Sequence, residues 1–192
     1  MLTANDWENR YQCGDMPWEK GAPSPGLIDF LRRQPGLSRG PVLVPGCGTG
    51  HDALVWARCD FPVTGMDIAP SAVRHASERA AALGVPASFV QSDFLRDPLP
   101  GVFDWLFEHT LFCAIHPSER DLYVQAAAKA VRPRGHFVAI HYMIRSREGP
   151  PYGVQQEELF ERFNPCFELQ AGWVPPSYPN RTGLELLLWW RR

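Results

Sequence analysis

The stretch Val42-Leu-Val-Pro-Gly46-Cys-Gly48-Thr-Gly50-His-Asp52 limits the fold of this chain more than any other. A short apolar run ends abruptly in a Gly-x-Gly-x-Gly turn, and a helix-compatible stretch, Ala53 to Arg58, follows. That is the start of a βα unit. Glycine suits its turn because a Cβ would block both the tight bend and the approach of a ligand to the backbone. The helix beyond points unpaired N–H groups at whatever sits in the turn.

Strand and helix patterns then alternate. Strand 40–45 leads to helix 50–59, strand 61–66 to helix 70–83, and strand 87–91 to a loop through Gly101. Strand 102–108 leads to helix 117–131, and strand 135–144 ends the regular part. This alternation predicts an α/β fold, a parallel sheet with helices on both faces. Helix 155–163 follows, and strands 167–174 and 184–190, joined by a proline cluster, add an antiparallel hairpin at the edge. The sum is a seven-stranded, mostly parallel sheet, with Trp189-Trp190 as edge-strand packing or a contact surface. Ahead of it, residues 3–12 form a short helix on which Trp7 and Tyr11 share a face. A loop follows that carries Asp15 and Trp18, and then a helix from Ser24 to Arg33 that buries Leu27, Ile28, Phe30 and Leu31. The chain reads as one domain, an aromatic arm over 1–23 and a core over 24–192.

Two acids give the glycine turn a chemical meaning. Asp67 closes the second strand about 20 residues after the glycines, where a carboxylate accepts from two ribose hydroxyls. Asp93, just after the third strand, is placed to accept from an adenine amino group, with Phe94 against the ring. Glycine turn, ribose acid and adenine acid in that order fit S-adenosylmethionine better than a nicotinamide dinucleotide. The closing hairpin also differs from the second half of a dinucleotide fold.

Bulk properties remove other classes. A net charge of −2 gives no reason to expect nucleic acid or an anionic membrane as partner. The first residues lack a basic and apolar leader, and no apolar run approaches the roughly 20 residues of a membrane helix. The five cysteines are scattered without a C-x-x-C pair, which predicts reduced thiols in a cytoplasmic protein and no metal site.

Several pieces resemble a known family: Trp7…Tyr11…Pro17-Trp18-Glu…Gly21, Val-Leu-Val-Pro-Gly-Cys-Gly-Thr-Gly-His-Asp, Gly65-Met-Asp67-Ile68, Phe112-Cys-Ala-Ile115-x-Pro117, Gly149-Pro-Pro-Tyr152 and Arg181-x-Gly183. Together they look like the halide/thiol methyltransferase branch of the thiopurine methyltransferase-like enzymes, along nearly the whole chain. The resemblance implies a class I methyltransferase with a Rossmann-like fold. It implies S-adenosylmethionine as cofactor, S-adenosylhomocysteine as product, and a soft acceptor: a thiol, hydrosulfide, thiocyanate or halide. By matching positions, Trp7, Tyr11 and Trp18 border the cofactor and close the site. Gly46 and Gly48 lie under its methionine part, Asp67 matches the ribose ligand, Asp93 with Phe94 the adenine side, and Ile68 is a further cofactor-binding residue. Glu108, at the end of the fourth strand, joins this set. Two departures bear on the acceptor. Plant halide enzymes have a second tryptophan where Tyr11 stands, and an Asp-Tyr pair where this chain has Glu108-His109. The replaced tyrosine lies near the methyl group.

The implied reaction is an in-line displacement at a methyl carbon on positively charged sulfur, with no covalent intermediate or metal. Its rate comes from holding the nucleophile at attack distance and excluding water. A thiol must first become a thiolate. His109 is the expected base, with Asp15 or Tyr152 as alternatives that orient or accept the proton. Arg181 attracts an anionic substrate or is simply solvated, and Phe112 borders the acceptor. A wide apolar pocket lined by Phe112, Tyr152 and Trp173 would instead indicate a small-molecule O- or N-methyltransferase. The third class is a non-catalytic cofactor-binding module. The expected partner is a small-molecule substrate, and the expected assembly a monomer or weak homodimer.

Overall fold

A computed structural model describes residues 2–146 and 148–192. Its centre is one seven-stranded sheet: β1 (Val42–Pro45), β2 (Val63–Asp67), β3 (Ser88–Gln91), β4 (Phe103–His109), β5 (Val131–Tyr142), β6 (Glu168–Trp173) and β7 (Glu185–Arg191). They lie in the order β3-β2-β1-β4-β5-β7-β6. β1 pairs with β2 and β4, β2 with β3, and β4 with β5, all parallel; β7 runs antiparallel to both β5 and β6. The chain lays down β1 to β3 outward, then returns to β1's other side with β4. That reversal opens a crevice beyond the carboxyl ends of β1 and β4, where open α/β sheets take their ligands.

Among the described residues there are six α-helices: α1 (Ala4–Cys13), α2 (Pro25–Arg33), α3 (His51–Arg58), α4 (Pro70–Leu83), α5 (Arg120–Ala130) and α6 (Gln156–Phe163). Leu27 and Phe30 of α2 and Ala53 and Trp56 of α3 pack on one sheet face against Val42, Val44, Trp105, Phe107 and Val138. Tyr123 and Ala127 of α5 and Leu159 and Phe163 of α6 pack on the other, against Leu43, Leu106, Phe137 and Trp190. Strand alternation sends neighbouring residues to opposite faces, so each inner strand feeds both cores.

Three differences from the sequence reading have physical causes. The last strand is not at the edge: β7 inserts between β5 and β6, which buries Trp190 completely and leaves β6 outermost. On α2, Ile28 is half exposed while Asp29 is buried, its carboxylate paired with Arg32 at 3.0 Å and Arg33 at 2.6 Å. β5 starts at Val131 rather than 135, and its pairing with β4 slips between Phe103 and Trp105. Pro133 offers no N–H to the ladder there and Arg134 has φ +66°, so the strand bulges before resuming at His136.

Candidate active site

A cavity of about 420 Å³ opens at the strand ends. The glycine turn forms its floor. Gly46 has φ +60°, a conformation that side-chain-bearing residues rarely adopt, and a Cβ there would stand 2.8 Å from Leu111 Cδ1, which would have to move. Asp67, at the tip of β2, fastens the turn. Its Oδ2 accepts from Gly48 N–H at 2.9 Å and its Oδ1 from Ala69 N–H at 3.0 Å. Burial pushes the Asp67 carboxyl above its usual range, although the Ala69 and Gly48 donors oppose that shift. Ile68, Asp93 and Phe94 continue the wall. Asp93 closes its own turn, accepting from Leu95 N–H at 2.9 Å and from Arg96 at 3.0 Å. Phe94 is buried, edge-on to Tyr123 at 5.5 Å.

The arm covers this floor. Thr3 and Asp6 form a capping box that starts α1, and Gly14 ends it in the left-handed conformation. The Trp18 ring meets Trp7 at 5.3 Å and Tyr11 at 5.7 Å, both edge to face, and the Arg10 guanidinium lies 4.5 Å from the Trp18 ring centre. Tyr11 is buried against Ala69 and Ala72 at the start of α4. Glu19 then pins the loop. It accepts from Gly21 N–H at 2.7 Å and from the Thr49 hydroxyl, and stands 3.1 Å from His51 Nε2. Burial would raise the Glu19 carboxyl, but the His51 and Thr49 contacts outweigh it and hold the pKa to about 2.

The far end of the cavity is charged. His109, the last residue of β4, stands between two carboxylates: Nδ1 is 3.1 Å from Asp52 Oδ2 and Nε2 is 3.2 Å from Glu185 Oε1. Burial alone would lower its pKa, but the bonds to Asp52 and then Glu185 win and raise it to about 9. At neutral pH both nitrogens therefore carry protons, and the ring has no lone pair with which to take another. Asp52 also accepts from Ser24 N–H at 2.7 Å, tying the start of α2 to this group. Arg181 is 6% exposed, donates to Glu185 at 3.1 Å and lies 4.7 Å from the Tyr142 ring centre. Tyr178 stacks on His109 at 6.0 Å. Asp52 thus pairs with His109, and Glu185 Oε1 with both His109 and Arg181.

The cavity wall gathers Trp7, Tyr11, Trp18, Gly46, Gly48, Asp67, Ile68, Asp93, Phe94, His109 and Arg181 from the expected set. Four expected residues lie off it. Glu108 is fully buried on the opposite face of β4 from His109, because adjacent strand residues alternate. Its Oε2 accepts from Leu111 N–H at 2.7 Å and Phe112 N–H at 3.2 Å, and burial raises its pKa to about 7. It shapes the loop after β4 from beneath. Phe112 is also fully buried, packed on Tyr123 and Phe163. Tyr152 sets its ring edge-on to His116 at 5.3 Å, while Pro150 and Pro151 reach the wall instead. Asp15 is exposed, bound to Arg10 at 2.9 Å. Trp173 stacks on Phe30 on the same sheet face and does not line the cavity. The sequence reading missed Asp52, Glu185, Tyr178 and Glu19. One signal was available: Glu185 is a lone acid opening the apolar run Leu-Leu-Leu-Trp-Trp.

A family model described as "Thiopurine S-methyltransferase (TPMT)" matches residues 2–173. A "Probable thiol methyltransferase 2" of Arabidopsis thaliana is 35% identical over 159 residues, 81% of this chain and 70% of its own length. A "Thiocyanate methyltransferase 1" of Brassica oleracea is 34% identical over 193 residues, 97% of this chain and 84% of its own. Among solved structures, the 1,6-didemethyltoxoflavin-N1-methyltransferase of Burkholderia thailandensis, with bound S-adenosylhomocysteine, superposes with a TM-score of 0.77 at 19% identity. The match covers 98% of this chain and 86% of that one, and at this identity it speaks to the fold alone.

Proposed function

The chain belongs to the thiopurine S-methyltransferase family, and from that premise we propose that it transfers a methyl group from S-adenosylmethionine to a small, soft, anionic acceptor: a thiolate, hydrosulfide, thiocyanate or halide. The observation that carries the acceptor class is the likeness to thiol and thiocyanate methyltransferases at 35% and 34% identity. Beside it, His109 and Arg181, each paired with a carboxylate, stand at one end of a cavity whose other wall is the glycine turn and Asp67. The residues fit the cofactor. A Cβ on Gly48 would stand 3.3 Å from Tyr11 Oη, so that glycine keeps the space between turn and arm open. Ile68 and Phe94 offer an apolar slot beside two acids, Asp67 and Asp93.

When bound, the cofactor supplies a methyl on positively charged sulfur. The chain's own residues do the rest. Asp67, Ile68, Asp93, Phe94, Gly46 and Gly48 hold the adenosyl and methionine parts; Trp7, Tyr11 and Trp18 wall the site from water. His109 and Arg181 place N–H groups beside the anion, their positive charge offset by Asp52 and Glu185. No proton acceptor is needed, because the acceptor arrives ionised. The working unit is the single domain, with arm 1–23 over core 24–192, acting as a monomer or weak homodimer on a diffusible substrate in the cytoplasm. Among the described residues no helix is long and apolar enough to cross a membrane.

The test is transfer of labelled methyl from S-adenosylmethionine to a panel of iodide, thiocyanate, hydrosulfide and small thiols, beside neutral alcohols and amines. Methylated product from at least one anion, and none from the neutral acceptors, is the expected result. Tight binding of S-adenosylhomocysteine with no transfer to any anion would overturn the proposal.

A further inference from the structure

Helix α4 begins without a cap of its own. Its N-cap is Ala69, whose side chain accepts nothing, and its first residue, Pro70, has no N–H. Ser71 N–H is the first donor in need of a partner, and Ser71 is 1% exposed. The acceptor comes from 63 residues away: Glu8 Oε2 takes the Ser71 N–H at 2.8 Å, and Glu8 Oε1 takes the Ser71 hydroxyl at 2.6 Å. Gln12, one turn on along α1, donates to the same carboxylate at 2.9 Å and holds it in place. These Ser71 bonds keep the Glu8 carboxyl below its usual range, so it stays ionised. A negative group at a helix N-terminus is also favoured by the helix dipole. Asp67 grips the same terminus from the sheet side, through Ala69 N–H at 3.0 Å. The start of α4 is therefore clasped by two carboxylates, one on the cavity floor and one on the arm.

We propose that Glu8 is a positioning residue: by capping α4 it docks the arm, and so sets Trp7 and Tyr11 against the cofactor cavity. The inference rests on the reading of that cavity as the S-adenosylmethionine site. Glu8 does not line the cavity itself, whereas its neighbours Trp7 and Tyr11 both do. Apolar packing of Tyr11 on Ala69 and Ala72 could hold the arm without it, and this rival gives a different pattern of effects.

The experiment compares full-length Glu8→Ala, Glu8→Gln and Ser71→Ala with Trp7→Ala. Each is measured for S-adenosylhomocysteine affinity by calorimetry, for KM and kcat with the best acceptor of the panel, and for amide hydrogen exchange. Glu8→Ala should weaken cofactor binding about tenfold, the size of losing one charged cap. It should raise KM for S-adenosylmethionine more than it lowers kcat, and speed exchange in α1 while β1 and β4 stay protected. Glu8→Gln keeps one acceptor oxygen and should recover part of the affinity; Ser71→Ala should show the same pattern, weaker. If Trp7→Ala weakens binding and Glu8→Ala changes neither affinity nor α1 exchange, packing holds the arm and the inference is overturned. If Trp7→Ala also leaves binding unchanged, the arm does not wall the cofactor and the reading beneath it fails instead. Should Glu8→Ala not fold, Glu8→Gln and Ser71→Ala decide the matter by the same readouts.

Discussion

His109 owes its charge to the fold. Its side chain is flanked by residues 57 and 76 positions away in sequence, Asp52 and Glu185, and nothing local in Glu108-His109-Thr110 announces either. With a folded pKa of about 9 against roughly 6.5 in the unfolded chain, His109 stabilises the protein fully below about pH 6.5. That stability is lost as pH rises through about 9. Thermal unfolding followed from pH 6 to pH 10 should show this loss, and His109→Gln should flatten it across the window. The same pairing fixes a kinetic expectation. For a thiol acceptor, kcat/KM should rise with pH along the ionisation of the free thiol, and thiols of different acidity should shift the curve in step. A profile that ignored the thiol's own pKa would mean that an enzyme base takes the proton. Asp67 was legible from its place after the second strand, yet its bonds to Gly48 and Ala69 give it a second task in holding the turn. Asp67→Ala should cost roughly 1–3 kcal/mol of S-adenosylhomocysteine binding, and calorimetry showing unchanged affinity would remove it from the site.

At the scale of elements, the strand and helix pattern was readable because the central strands β1 and β4 are largely apolar and several helices have proline, glycine or serine at a boundary, as α2 and α4 do. What the pattern lacked was lateral order. The β6–β7 hairpin is evident in sequence, but which of its strands meets β5 depends on the faces their side chains cover. β7 carries Leu187, Leu188 and Trp190, all nearly or fully buried, whereas β6 carries Glu168, Gln170 and half-exposed Leu169. The more apolar strand lies inside. Trp190→Ala should accordingly lower stability by roughly 3–5 kcal/mol in urea unfolding, while Leu169→Ala on the edge should change it by no more than about 0.5–1 kcal/mol. Similar losses at the two positions would contradict the observed order. Glu108 and His109 make the same point within one strand: the residues are adjacent, but one braces the loop from the core and the other lines the cavity.

For the whole molecule, two cores share one sheet, with Phe137 and Ala139 packing one way and Val138 and Ile140 the other. Neither core can dissolve without exposing the strands of its neighbour, so unfolding in urea should be one transition, coincident in near-ultraviolet and far-ultraviolet dichroism. Separated transitions would show that the faces melt independently. The sequence alone determined the alternation of strands and helices, the glycine turn and the acids at the strand tips. These are set by neighbours a few residues apart, whose spacing carries its own geometry. Tertiary structure alone decided the place of β7 inside the sheet, the carboxylates that hold His109 charged, and the clasp of Glu8 on α4. Each of those is a contact between residues far apart in the chain, and no local pattern records which distant group will arrive to satisfy a buried charge or an uncapped helix.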